Sequence, residues 1–210
     1  NFTMLQGYAY IESIDPVYWS LTVELSFYIV MLGLWRLKLL DRIEWVLAGW
    51  IAIKWLFWLV PALPSRLGFL PSQEYIPFFA IGILAYRVRS GERTWGQQVA
   101  VLVWAFVSVL VIDPPAEMIV FVAVAIVTAL LTRPEALAFL VNPVTLWLGA
   151  ISYPLYLLHN NIGFAVMLRL GEAGLPAPLL VIAATLLALT LATLVNRFIE
   201  KPSLAIIRDW

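Results

Sequence analysis

A carboxylate inside a long apolar segment is the first feature of this sequence that could take part in chemistry. Glu24 lies about a third of the way along residues 17–35, VYWSLTVELSFYIVMLGLW, a segment long and apolar enough to form a membrane-spanning helix. An acidic side chain at mid-helix costs roughly 2.5 to 3.5 kcal/mol in lipid, so we expect Glu24 to face protein or a wet cavity.

Two hydroxyl-bearing side chains share the helical stripe of Glu24. Ser20 and Tyr28 stand one turn before and one turn after it, which places a hydroxyl, a carboxylate and a phenol in line. Ionisable residues inside membranes are by default candidates for functional sites, so the stripe indicates one. A structural hydrogen bond from Glu24 to a neighbouring helix would explain the same residue without any chemistry.

A second polar stripe surrounds the only histidine of the sequence. His159 lies in WLGAISYPLYLLHNNIGF, with Ser152 and Tyr156 at i−7 and i−3 on its own face and with Asn160 and Asn161 beside it. Imidazole is the side chain best suited to acid–base catalysis near neutral pH. The alternative is a core imidazole that holds two helices together.

A proline interrupts the same apolar segment. Pro154 has no N–H, so it leaves a backbone carbonyl near Ala150 without its helical partner. We expect the helix to kink there, which is a common way to open a cavity inside a membrane protein.

The two stripes are expected to share one cavity. At 1.5 Å per residue, Glu24 lies roughly 10 Å and His159 roughly 13 Å below the outer ends of two oppositely directed helices, with Lys54 at a similar depth of about 9 Å. Neither Glu24 nor His159 has an obvious partner within its own helix, so one wet cavity is less costly than two separate burials. Lys54 can line that cavity or extend its ammonium group to the membrane surface.

The amino-acid composition indicates which kind of secondary structure positions these residues. Of 210 residues, 63% are hydrophobic and 12% are charged, against about 45 to 50% and 25% in soluble domains. We therefore expect an all-α, polytopic membrane protein with about seven transmembrane helices, at residues 17–35, 43–60, 75–86, 97–112, 118–131, 144–168 and 179–199. The net charge of zero suggests no nucleic-acid partner, and the lack of cysteine excludes disulfides and thiolate chemistry in this chain.

The basic residues fall mostly on one side of the predicted spans. Those in the odd-numbered connections and at the C-terminal end are Arg36, Lys38, Arg42, Arg87, Arg89, Arg93, Arg133, Arg197, Lys201 and Arg208, against Arg66 and Arg169 on the other side. This asymmetry predicts a multi-pass protein of the cell inner (plasma) membrane, with its N-terminus outside and its C-terminus cytoplasmic. The cluster at residues 87–93 could also bind phosphates, although positive-inside topology alone accounts for it.

Three motifs resemble those of one family. WSLTVELSFYIV resembles the Trp-Ser-Leu-x-x-Glu-x-x-Phe-Tyr signature of the acyltransferase 3 family of membrane O-acyltransferases. LGAISYPLYLLHNNIG resembles its Gly-x-Ile-Ser-Tyr-x-x-Tyr-Leu-x-His segment, and NRFIEKP resembles its Arg-Phe-x-Glu-x-Pro ending. The motifs stand in the family's order and extend over nearly the whole chain.

The resemblance implies a fold, a reaction and a set of partners. The family is typically built on about ten membrane helices. It moves acyl groups, often acetyl from acetyl-CoA, onto hydroxyls of polysaccharides, glycans or lipid-linked sugars. Residues 1–210 would then form a single, N-terminally truncated transmembrane acyltransferase domain that fits the last seven helices. The expected partners are membrane lipids, acyl-CoA, the hydroxyl-bearing acceptor and the missing N-terminal helices of the same parent chain, which carry the family's usual catalytic His and Arg-x-x-Arg motif.

The combined interpretation assigns residues to the site. The expected catalytic residues are Glu24, Tyr28, Tyr156 and His159. The expected substrate-binding residues are Trp19, Ser20, Lys54, Ser152, Tyr153, Asn160 and Asn161. A base must take a proton from the acceptor hydroxyl, or from a serine or tyrosine that first carries the acyl group, and donors must hold the oxyanion. No metal and no bound cofactor are expected, because acyl-CoA enters as the donor substrate.

Two other function classes fit the same polar residues. A secondary transporter or permease domain could use Glu24, Lys54 and His159 as a proton relay, although no pair of Gly- or Pro-broken helices occurs in corresponding halves of the sequence. A non-catalytic membrane scaffold would use these residues for packing alone.

Overall fold

The computed structural model describes residues 14–63 and 73–208, and every regular element in them is a helix. The α-helices are α1 (Trp19–Arg36), α2 (Ile43–Leu59), α3 (Ile76–Arg89), α4 (Trp95–Ile112), α5 (Pro115–Leu131), α6 (Pro143–Glu172), α7 (Ala177–Val195) and α8 (Lys201–Arg208). The all-α class is confirmed for these residues. Predictions that concern the N-terminal end, Arg66 and Trp210 fall outside them.

Short polar signals define where several helices begin. Thr94 caps α4, because its side chain accepts a hydrogen bond from the Gln97 N–H while the Gln97 side chain accepts one from the Thr94 N–H. Asn142 and Thr145 cap α6 in the same reciprocal way. Each of the seven apolar segments predicted above overlaps one of the helices α1 to α7.

Three of the described helical segments are long and apolar enough to cross a membrane: Pro16–Arg36, Trp95–Ile112 and Ala177–Arg208. Pro115–Leu131 is apolar but shorter. Helix α6, with 30 residues, is long enough to cross a membrane, but polar residues such as His159 and Asn160 reduce its mean hydropathy. The predicted count of about seven spans is therefore not confirmed.

The chain divides into two compact units. The first, called the C-terminal unit, contains residues 14–20 and 140–208 of the described chain. In it α6 packs along α7, which buries Ala184, Ala188 and Ala192 at successive turns of one face. Small residues at such positions allow two helix backbones to approach closely.

The second unit, called the central unit, contains residues 21–63 and 73–139 of the described chain. Helices α2 to α5 pack around its apolar core. The core includes Leu47, Ile51, Ile76, Leu84, Val109 and Phe121, all almost fully buried. Much of the remaining apolar surface of both units is exposed, as for the outer faces of α1 and α7, which is the surface that a lipid environment covers.

Candidate functional site

A cavity of about 590 Å³ lies between α6 and α7 in the C-terminal unit. Its α6 wall carries His159, Tyr156 and Ser152, three residues that the sequence predicts for the site. Its α7 wall carries Thr185, which the sequence analysis missed because a lone threonine in an apolar helix gives no signal. The rest of the lining is apolar, so the cavity combines a few polar groups with a mainly apolar surface, as small-molecule sites do.

The imidazole of His159 is oriented by its own helix. Its Nδ1 lies 3.1 Å from Leu155 O and 2.9 Å from Tyr156 O. Carbonyl oxygens only accept hydrogen bonds, so Nδ1 carries the proton and Nε2 of the neutral ring keeps its lone pair. The expectation that His159 has no partner within its own helix is wrong, because the carbonyls three and four residues earlier lie within reach of the ring.

Tyr156 connects α6 to the beginning of α1 within the C-terminal unit. Its hydroxyl oxygen lies 2.6 Å from Val17 O and 2.6 Å from Ser20 Oγ. The carbonyl must accept the tyrosine proton, and the Ser20 hydroxyl donates either to Tyr156 Oη or to Val17 O, from which Ser20 Oγ lies 3.3 Å. In this arrangement the phenol proton is already used, which favours a positioning role for Tyr156 over donation to an oxyanion.

Asp15 holds the segment before α1 against α6. Its buried carboxylate accepts hydrogen bonds from the Val17 N–H at 3.0 Å, Asn160 Nδ2 at 3.0 Å and the Asn161 N–H at 3.3 Å. The Asn161 side chain donates to Ile14 O at 3.2 Å. Both asparagine side chains thus make structural contacts, and their roles in substrate binding stay predictions.

These contacts also set the pKa of Asp15. Burial raises the pKa of the carboxyl group, whereas the hydrogen bonds from Val17, Asn160 and Asn161 lower it, and His159 in its charged form adds a smaller lowering. The lowering contributions together prevail, and the pKa lies below its usual 3.8. Asp15 is therefore a carboxylate at neutral pH.

Pro154 lies inside α6, and the carbonyl that it leaves without a helical partner accepts a hydrogen bond from another helix. The carbonyl of Ala150, four residues before it, accepts a hydrogen bond from Asn196 Nδ2 at 2.7 Å. Asn196 begins a π-helical turn (Asn196–Glu200) after α7 and also donates to Glu200 Oε2 at 2.8 Å. This turn contains the NRFIE part of the third motif, so the motif satisfies the carbonyl that the proline frees.

Ser152, Tyr153 and Trp19 are the remaining predicted residues of the C-terminal unit, and all three are exposed. Ser152 Oγ donates to Gly149 O at 2.8 Å, one turn earlier in its own helix. Tyr153 and Trp19 are half exposed and do not line the cavity. Their proposed roles in substrate binding stay predictions.

Glu24 and Tyr28 form a hydrogen-bonded pair on the part of α1 that belongs to the central unit. Tyr28 Oη donates to Glu24 Oε1 at 2.6 Å, and both side chains are exposed in the described part of the protein. The expectation that Glu24 faces protein or a wet cavity stays a prediction, whereas the expectation that it has no partner within its own helix is therefore wrong. The reason is the i,i+4 spacing, which allows the phenol to reach the carboxylate one turn away. The cavity shared with His159 stays a prediction, since the two residues belong to different units.

Lys54 is buried in the central unit, with only 3% of its surface exposed. Its Nζ donates to Asp113 Oδ2 at 2.5 Å and to Glu74 O at 3.3 Å. The alternative in which the ammonium extends to the membrane surface is wrong, because Asp113 at the end of α4 supplies a buried counter-charge. The role of Lys54 in substrate binding stays a prediction.

A cavity of about 660 Å³ adjoins this ion pair, and we call it the Lys54–Asp113 cavity. Its polar lining adds Glu74, Tyr75 and Glu117 to the pair. These acids are not predictable as site residues from the local sequence, because they stand in predicted connections whose composition is typical of turns. The signal that could have found them is Lys54 itself, since a buried ammonium requires a carboxylate nearby.

The arginines of residues 87–93 are paired with acids and a carbonyl. Arg87 Nη1 and Arg93 Nε lie 3.0 Å and 3.3 Å from the two carboxylate oxygens of Glu44, and Arg87 Nε lies 3.1 Å from Glu92 Oε2. Arg89 Nη1 donates to Leu131 O at 2.8 Å. Arg87 and Arg93 are thus paired with carboxylates while Arg89 bonds a neutral carbonyl, and phosphate binding by this cluster stays a prediction.

A family model for an acyltransferase domain, Acyl_transf_3, matches residues 2–197. No curated protein and no solved structure matches the chain. The matched range includes both cavities and every residue that the sequence predicts for the site.

Proposed function

Since the chain belongs to the acyltransferase 3 family, we propose that it is a membrane O-acyltransferase that moves an acyl group, typically acetyl, from acyl-CoA to a hydroxyl of a polysaccharide, a glycan or a lipid-linked sugar. Its apolar helices accord with a membrane acyltransferase. The observation that supports the choice of site is the orientation of His159, whose Nδ1 is fixed by two backbone carbonyls beside a largely apolar cavity.

His159 acts as the general base of the proposed reaction. Nδ1 is occupied as a donor, so Nε2 is the basic atom, and the ring is exposed enough to meet a substrate. A base positioned in this way contributes about 10² to 10⁴-fold to a rate. The fixed tautomer removes the need to reorient the ring before each turnover.

The proposed step conserves atoms and charge. His159 Nε2 takes the proton of the acceptor hydroxyl while the oxygen attacks the thioester carbonyl carbon, forming a C–O bond. The tetrahedral intermediate collapses, the C–S bond breaks, and the departing CoA thiolate takes the proton from the imidazolium. The products are an acyl ester and free CoA, and no further reactant is needed.

The oxyanion of the intermediate requires a hydrogen-bond donor. Of the hydroxyl groups in the cavity lining, those of Ser152 and Tyr156 already donate to Gly149 O and Val17 O. We therefore assign the oxyanion to Thr185 on α7, whose side chain is exposed in the cavity wall.

The acyl group lies against the apolar part of the cavity. Gly163 on α6 lines it, and a Cβ atom added there meets nothing within 4 Å. Ala184 and Ala188 on α7 also line this part of the cavity. The space suits a short acyl chain at the thioester carbonyl.

Glu24 and Tyr28, on α1, keep their predicted catalytic roles as part of this proposal. The exposed carboxylate can bind an acceptor hydroxyl or orient an imidazole, and Tyr28 holds it in place. Loss of the carboxylate charge is therefore expected to abolish acyl transfer without disturbing the helix.

We place the protein in the inner (plasma) membrane, with the connections at residues 36–42 and 87–93 in the cytoplasm. The distribution of basic residues supports this orientation. The chain contains no cysteine, so single cysteines introduced at Arg89 and Pro114 can be tested with a membrane-impermeant thiol reagent in intact cells. We expect labelling of the cysteine at position 114 alone. Labelling of the cysteine at position 89 alone would contradict the proposed orientation.

A thiol-release assay tests the proposed function. The full-length protein, purified in lipid nanodiscs, is supplied with acetyl-CoA and a panel of sugars and oligosaccharides, and free CoA and acetylated product are measured. We expect release of CoA that depends on the sugar and on Thr185, with Thr185→Val slower by about 10² to 10³-fold and Thr190→Val unchanged as the matched control on α7. Failure of every sugar to support CoA release would contradict the proposal.

A further inference from the structure

The Lys54–Asp113 cavity lies in the central unit, and its lining residues perform none of the chemical steps derived above. It forms where the end of α2, the beginning of α3, the end of α4 and the beginning of α5 meet. Its volume of about 660 Å³ is in the range of small-molecule sites. We propose that this cavity binds a sugar ring of the acceptor and selects against sugars that carry acidic groups; this inference rests on the proposed function.

The lining combines aromatic rings with hydrogen-bonding groups. Phe57, Trp58 and Phe78 provide apolar surface, and Tyr75 provides a ring with a polar end. A sugar ring has C–H faces that pack on aromatic surfaces and hydroxyl groups at its edge, so it matches a lining of this kind. Trp58 is 45% exposed and therefore accessible to a ligand.

The charges of the lining favour a ligand without negative charge. Glu74, Asp113 and Glu117 carry three negative charges against one positive charge on Lys54, and the ion pair uses Asp113 and Lys54. Glu74 and Glu117 are exposed carboxylates that can accept hydrogen bonds from sugar hydroxyls, and such charge-assisted bonds are strong. A uronate or a phosphate would face like charges, which is costly at a binding site.

The buried ion pair keeps this lining in place. Lys54 connects α2 to the end of α4 through Asp113 and to the beginning of α3 through Glu74 O. The three helix ends that carry Trp58, Glu74 and Asp113 are thus held together before a ligand arrives, which reduces the ordering cost of binding.

Direct binding tests this inference separately from acyl transfer. Saturation-transfer NMR is recorded on the full-length protein in nanodiscs, without acyl-CoA, using methyl glucoside, glucosamine and glucuronate as probes. We expect signals from methyl glucoside and glucosamine, and binding of glucuronate that is about tenfold weaker, equivalent to about 1.4 kcal/mol. No signal from any of the three sugars, or equal affinity for glucuronate, would overturn the inference.

Two variants and two matched controls locate the binding site. Trp58→Ala is expected to weaken methyl glucoside binding by about three- to tenfold, because an aromatic contact is lost. Glu117→Gln is expected to reduce the discrimination against glucuronate. Trp45→Ala and Glu135→Gln alter exposed residues of the same unit outside the cavity and should change neither result.

The outcomes separate this inference from the proposed function. Equal effects of Trp58→Ala and Trp45→Ala would place sugar binding elsewhere and overturn the inference, even if acyl transfer were observed. Sugar binding that depends on Trp58, in a protein that releases no CoA with any acceptor, would sustain the cavity as a sugar site and contradict only the acyltransferase mechanism.

Discussion

Ser20 and Tyr156, which are 136 residues apart, lie 2.6 Å from each other at their hydroxyl oxygens. The contact joins the first turn of α1 to α6 and places two of the three sequence motifs side by side. The Tyr156 hydroxyl also donates to Val17 O, so the three groups form one hydrogen-bonded chain.

The hydrogen-bonded chain of Ser20, Tyr156 and Val17 O predicts that the effects of Tyr156→Phe and Ser20→Ala on stability are coupled. Tyr156→Phe removes the hydrogen bond to Val17 O, a carbonyl that the Ser20 hydroxyl also reaches, and the loss of one hydrogen bond costs about 0.5 to 1.5 kcal/mol. The effects of the two substitutions should not add, because both remove the same hydrogen bond. Thermal unfolding of the two variants and their combination measures this, with the half-exposed Tyr153→Phe as the control; fully additive effects would contradict the chain.

The sequence could predict the helices of this protein but not most of their mutual contacts. Runs of apolar residues bounded by Pro, Gly and charged residues mark α1 to α7, because burial in lipid or protein is a local property of each segment. The number of membrane-spanning helices is harder to predict. Helix α3 has only 14 residues and α6 contains several polar residues, so length and composition alone do not identify either as a span.

The site shows the same limit. The sequence identifies the carbonyl that Pro154 frees, because that follows from covalent geometry, but nothing in it assigns Asn196 as the partner. The hydrogen bond between Tyr28 and Glu24, in contrast, follows from their i,i+4 spacing and is predictable from the sequence. The pairing of Lys54 with Asp113 spans 59 residues and depends on tertiary packing.

A double-mutant cycle tests whether Asn196 compensates for the backbone hydrogen bond that Pro154 removes from α6. Asn196→Leu removes the donor to Ala150 O and should destabilise the protein by about 1 to 3 kcal/mol, since an unpaired carbonyl in an apolar environment is costly. In a Pro154→Ala background the new N–H of residue 154 can bond to Ala150 O, so the same Asn196 substitution should cost less. Equal losses in both backgrounds would show that Asn196 acts through other contacts.

Asp15 predicts a pH dependence of stability. Its pKa is lower in the folded protein than its ordinary 3.8, so the unfolded chain binds more protons in acid. The contribution of Asp15 is therefore present above pH 3.8 and is lost as the pH falls through the lower folded pKa. Unfolding temperatures measured from about pH 6 to about pH 3 should fall more steeply for the native protein than for Asp15→Asn. Asp41→Asn, at an exposed carboxylate, is the control and should follow the native curve; a native slope in Asp15→Asn would contradict the assignment.

The Glu24–Tyr28 pair predicts a loss of activity without a loss of fold. Glu24→Gln keeps an acceptor for the Tyr28 hydroxyl but removes the charge, so the full-length protein should accumulate in the membrane while acyl transfer is abolished. CoA release and the amount of inserted protein are measured together, with Glu135→Gln as the control for loss of an exposed carboxylate. Near-normal turnover in Glu24→Gln would leave Glu24 with a structural role only.

The pH–rate profile of His159→Gln tests the central claim most directly. The glutamine side chain is polar but cannot act as a base, and the backbone carbonyls of Leu155 and Tyr156 remain bonded within α6. We predict that CoA release falls by about 10² to 10⁴-fold and that the decline in rate toward acid pH disappears, while the unfolding temperature stays close to that of the native protein. Turnover close to the native value, with the acid decline unchanged, would contradict the role of His159 as the base.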